Sequence, residues 1–63
     1  MTINYTITVI SNDDQDILFR ASGIREDYST PTYMMNELGH RYIDSTVIYH
    51  DLTNGFKIEK SFE

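Results

Sequence analysis

Apolar and polar positions alternate with a period of two along most of this chain, and one internal stretch breaks the alternation. In residues 2–10, Ile3, Tyr5, Ile7 and Val9 fall on one side and Asn4, Thr6 and Thr8 on the other, the pattern of a strand with one buried face. Their β-branched and aromatic side chains suit a pleated, half-buried surface. Residues 11–16 (SNDDQD) read as a polar turn, because Asn and Asp side chains bond their own backbone. Residues 17–22 (ILFRAS) predict a second strand, with Ile17, Phe19 and Ala21 toward the core and Arg20 outside. The short link makes the pair an antiparallel hairpin. Residues 23–29 (GIREDYS) read as a connector, in which Gly23 ends the strand and Ile24 and Tyr28 tuck under the element that follows.

The break is residues 29–43 (STPTYMMNELGHRYI), where Met34, Leu38 and Tyr42 recur at helical spacing with Pro31 and Met35 flanking the same face. Thr30 suits a helix cap and Pro31 the first helical position, where its missing N–H costs nothing. Gly39 either ends this helix in a left-handed cap or lies inside it at a cost of about 1 kcal/mol. After Asp44 and Ser45, residues 46–52 (TVIYHDL) and 56–62 (FKIEKSF) predict two more strands, the last with Phe56, Ile58 and Phe62 inward. Between them, Asn54-Gly55 predicts a two-residue hairpin turn in which both residues take positive φ. That turn would pair Thr53 with Phe56, Val47 with Phe62 and Tyr49 with Lys60, and would turn Val47 and Tyr49 inward. A three-residue loop with a bulge would turn Ile48, His50 and Leu52 inward instead. The expected class is therefore α+β: one domain, residues 1–63, ordered β-β-α-β-β, with a four-stranded antiparallel sheet and one helix packed on one face. Ile10, Leu18, Ile48 and Leu52 would then collect on the opposite face, an expectation of self-association as a homodimer.

Composition narrows the function classes. A 63-residue chain without cysteine has no disulfide and no thiolate metal site, and its core is small enough that a partner surface would add stability. The formal net charge is −5, from ten acidic and five basic side chains. That balance argues against direct nucleic-acid binding, which needs a basic footprint, and suits a basic protein partner or imitation of nucleic acid. The chain shows neither a signal-peptide pattern at its start nor an apolar run of membrane-spanning length, so the expected location is cytoplasmic, with no membrane partner.

Candidate chemistry is sparse. Asn12, Asp14 and Asp16 match the first three ligand positions of a calcium loop, but Ile17 and Gly23 stand where that loop needs a glycine and a bidentate glutamate. His50 and Asp51 are adjacent, so a strand points them to opposite faces. The glycines are isolated and form no phosphate-binding loop. The expectation is no catalysis, no cofactor and no metal. The residues best suited to a protein partner are the acidic side chains Asp13, Asp14, Asp16, Glu26 and Asp27, and the tyrosines Tyr28 and Tyr33 beside the helix start.

In its acidic turn at residues 12–16, its capped helix from Thr30 and its Asn54-Gly55 hairpin, all within a short cysteine-free acidic chain, the sequence resembles the small accessory proteins with which phages block host enzymes or defence systems. The resemblance is to a class and carries no functional residue across. It implies an inhibitor or adaptor that occludes a target protein's surface in the host cytoplasm. The other reading is a structural or assembly module working as a homo-oligomer.

Overall fold

A computed structural model of the chain describes residues 2–26 and 31–63. Its strands are β1 (Ile3–Ser11), β2 (Ile17–Arg25), β3 (Ser45–Asp51) and β4 (Phe56–Phe62), and its helix is α1 (Thr32–Arg41). They form one four-stranded antiparallel sheet in the order β2-β1-β3-β4, with α1 packed across β3 and β4. The α+β class and the β-β-α-β-β order are those the alternation predicts. The sheet order adds what the sequence leaves open: β1 and β3 are central, and β2 and β4 are edges.

The core lies between α1 and the central strands. Ile7, Val9, Val47 and Tyr49 are buried there against Met35 and Leu38. Each such side chain contributes about 1.5–3 kcal/mol by leaving water. The buried stripe of α1 is Met35, Leu38 and Gly39, with Met34 half-buried, so it is centred one position later than the Met34–Leu38–Tyr42 line. Pro31 is the N-cap and Thr32 the first helical residue, one position after the expected start, because Met35 N–H bonds the Pro31 carbonyl at 3.0 Å. Thr30, together with Asp27, Tyr28 and Ser29, lies outside the described residues. Gly39 is inside the helix, and a β-carbon there would overlap the Phe62 ring. Here the missing side chain allows β4's last aromatic residue to lie on the helix backbone. The helix ends at Tyr42, whose N–H bonds the Leu38 carbonyl at 2.9 Å.

Three expectations are corrected. First, β2 does not stop before Gly23 but continues to Arg25. Gly23 pairs with Tyr5, and the Tyr5 ring covers the space a β-carbon would fill. Ile24 consequently points to the outer face, 65 % exposed, rather than tucking under the helix. Second, the β1–β2 register shifts between Val9 and Ile10: Val9 faces Phe19, but Ile10 faces Ile17. The extra residue, Leu18, moves Ile17 off the core face, where it stands 59 % exposed. Third, the β3–β4 connection is a four-residue loop, with Asp51 opposite Phe56, Tyr49 opposite Ile58 and Val47 opposite Lys60. Gly55 alone of the Asn54-Gly55 pair takes positive φ, at 77°. The reason is Asp51, whose carboxylate accepts from the Asn54 backbone at 2.7 Å and from the Asn54 side chain at 2.9 Å, folding the longer loop over itself. The slip is two residues, so Val47 and Tyr49 still face inward. Phe56, placed inward by its alternation, lies at the sheet end and is 44 % exposed.

Candidate functional site

The described acidic candidates fall at the two ends of the sheet. Asp13, Asp14 and Asp16 are exposed on the β1–β2 turn. Glu26 is exposed just beyond Arg25, whose partner is Ile3, so it stands at the opposite end. Tyr33 is on α1 and 81 % exposed, where it lines a shallow groove with Asn36, Glu37 and His40. The sequence-derived candidates therefore do not form one surface, and Asp27 and Tyr28 lie outside the described residues.

What unites the first end is Asn12. Its N–H bonds the Asp44 carbonyl at 2.9 Å, its side-chain amide donates to the Phe62 carbonyl at 3.3 Å, and its side-chain oxygen accepts from the Thr46 hydroxyl at 2.7 Å. One side chain thus ties the acidic turn to the start of β3 and the end of β4. Asp44, with φ 54°, and Glu63, next to Phe62, are brought to the same end and are both exposed. Half of the chain's ten acidic side chains, Asp13, Asp14, Asp16, Asp44 and Glu63, crowd this end. The sequence conceals the grouping, because the partners of Asn12 lie 34 and 50 residues away.

The turn itself is braced. Ser11 N–H bonds the Asp16 carbonyl at 2.8 Å and Gln15 N–H bonds the Ser11 carbonyl at 3.0 Å. Asp13 N–H donates to the Ser11 hydroxyl at 3.3 Å, and Asp16 N–H donates to an Asp14 carboxylate oxygen at 3.2 Å. The Asp16 backbone bond first, and the Ser11 hydroxyl second, hold the Asp14 carboxyl below its ordinary pKa, against a smaller upward push from burial. Its charge is therefore kept into mild acid. Asn12 and Asp14 spend their oxygens on protein donors, and among the described residues no three His, Cys, Asp or Glu side chains are placed to hold a metal ion.

A second polar cluster lies at the other end, under cover. Tyr49 is 1 % exposed and stacks on Tyr5 with ring centroids 5.4 Å apart. Arg25 donates to its hydroxyl at 3.1 Å and lies over its ring. Asp51 is 2 % exposed on the same face. Burial alone would push its carboxyl pKa up, but the Asn54 side chain, the Asn54 and Thr53 backbone and the nearby Arg25 charge together bring it below the ordinary value. This cluster closes the β3–β4 loop. His50 sits on the outer face, opposite Thr6 and Lys57, so it and Asp51 make no pair.

No family model, curated protein or solved structure matches this chain. Among the described residues, no helix is long and apolar enough to cross a membrane.

Proposed function

We propose that this chain is a protein-binding inhibitor or adaptor that acts by occlusion, docking its acidic end on a basic surface of a target protein. The observation that carries the reading is the set of five exposed carboxylates gathered at one end of the sheet, where Asn12 ties the β1–β2 turn to the start of β3 and the end of β4. A fixed array of like charges steers an oppositely charged partner into register and loses little entropy on docking. The class resemblance in the sequence suggests the target: a host enzyme or defence factor whose groove otherwise holds nucleic acid. Catalysis has no part in this reading. The structural or assembly reading is favoured by a different feature, the open face of the sheet, taken up below.

The test is affinity purification from the source cell or its host, followed by binding kinetics on the protein recovered. Asp13→Lys with Asp14→Lys removes the Asp14 carboxylate's bond to the Asp16 N–H, but the change stays local to an exposed turn that the Ser11–Asp16 and Ser11–Gln15 backbone bonds still close. The double substitution is expected to slow association about tenfold or more at low salt, with a smaller effect at high salt. An association rate equal to the parent's at low salt removes the acidic end from the interface.

A further inference from the structure

The face of the sheet away from α1 is uncovered by any described residue, and its registers give it a pattern. Arg20, Thr8, Ile48 and Glu59 form one row across the strands, and Ser22, Thr6, His50 and Lys57 the next. The rows on either side end in exposed apolar residues of β2: Ile17 beside Ile10 toward the acidic end, and Ile24 beside Asn4 toward the other. The two central strands carry no formal charge on this face, so the charges are confined to its edges.

We infer that a second copy of this chain covers this face, the two sheets stacking about a two-fold axis that runs across the strands between the two middle rows. That operation exchanges the rows. Lys57 comes opposite Glu59 of the second copy and Glu59 opposite its Lys57, Arg20 faces Ser22, and Ile17 meets Ile24. No like charges meet. The alternative axis, along the strands, pairs Arg20 with Glu59 but sets the two acidic ends side by side. The axis across the strands sends them to opposite ends, 37 Å being the long dimension of one copy, well beyond the screening length of about 8 Å at physiological salt. Strands about 4.8 Å apart and rows about 6.8 Å apart make this face roughly 450 Å². A standard interface buries about 800 Å² per partner, so a face of this size makes a weak dimer. The inference stands apart from the function of the acidic end, which stays free in the dimer.

Sedimentation equilibrium from about 10 µM to about 1 mM tests it, a span that brackets weak association. Lys57→Glu and Glu59→Lys each set like charges opposite and are expected to weaken the dimer about tenfold. The double exchange restores opposite charges and is expected to recover the parent's affinity within about threefold. All these positions are exposed, so the fold is unaffected. The chain has no cysteine, so Ile17→Cys mixed with Ile24→Cys, joined by a thiol cross-linker of about 10 Å, the spacing of stacked sheets, reports the axis. Efficient cross-linking of this pair, and little for Ile17→Cys mixed with Ser61→Cys, is the result expected. A parent that stays monomeric throughout, a double exchange that fails to restore affinity, or preferential 17-to-61 cross-linking overturns the inference.

Discussion

The two hairpin turns solve one backbone problem with different residues. Each places four residues between a closing pair, Ser11 with Asp16 and Asp51 with Phe56. In each, the N–H of the fourth loop residue bonds back to the first closing carbonyl: Gln15 to Ser11 at 3.0 Å, and Gly55 to Asp51 at 2.9 Å. That fourth residue is left-handed in both, at φ 63° for Gln15 and 77° for Gly55. In each, the first closing side chain accepts a backbone N–H within the loop. Both turns also latch onto the opposite hairpin, the first through Asn12 and the second through Leu52 N–H to the Asn4 carbonyl and Asn4 N–H to the Thr53 hydroxyl. The difference lies in what the left-handed position tolerates. Glycine takes that conformation freely, whereas a residue with a β-carbon gives up about 1–2 kcal/mol there. The β3–β4 turn is built for stability over a buried carboxylate. The β1–β2 turn accepts strain at Gln15 and leaves Asp13, Asp14 and Asp16 exposed.

The largest break in the comparison comes from giving the second turn the worst residue for its conformation. Gly55→Val is expected to lower stability by about 1–3 kcal/mol in urea denaturation, since a β-branched side chain at positive φ is strained even where space is open. An unchanged midpoint would mean that the loop relaxes into another turn. A smaller effect follows from Asp51. Its carboxyl pKa is lowered in the fold, so the stability it contributes is fully present above the ordinary carboxylate value and fades as pH falls through the folded one. Asp51→Asn is therefore expected to be less stable than the parent at pH 6, and the gap should narrow by pH 3. A gap that stays constant across that range would show that the carboxylate's charge does not matter. The smallest effect runs in the opposite direction. Gln15→Gly relieves the left-handed strain at some cost in chain entropy, and a net gain of about 0.5 kcal/mol is expected. A loss of stability would show that the Gln15 side chain makes a contribution its backbone conceals.

The sequence makes faces legible more readily than registers. Period-two alternation assigns Ile3, Ile7 and Val9 to the core, and all three are buried. It also survives the error at Asn54-Gly55, since a two-residue slip returns every β3 side chain to its own face. Where parity itself changes, the pattern fails: one extra residue at Leu18 carries Ile17 to the other side, and no local signal marks that bulge. Gly23 reads as a strand end because its reason for being small is the Tyr5 ring on the neighbouring strand. The acidic turn is plain in the sequence, as are its three aspartates. The addition of Asp44 and Glu63 depends on Asn12 reaching across 50 residues, which periodicity does not report.

The sheet order has a consequence for how the chain assembles. β1 is a central strand, yet its second neighbour, β3, joins it through pairings as distant as Tyr5 with Asp51. The first hairpin closes over a few residues and forms early, whereas the β1–β3 pairing must close most of the chain, and such non-local contacts slow folding. During synthesis, the emerging first hairpin therefore presents the inner edge of β1 with its hydrogen-bonding groups unpaired, flanked by Ile7 and Val9. An unpaired, apolar strand edge is a template for association with other chains. Until β3 arrives, one of the two strands that end up central in the sheet has a bare edge.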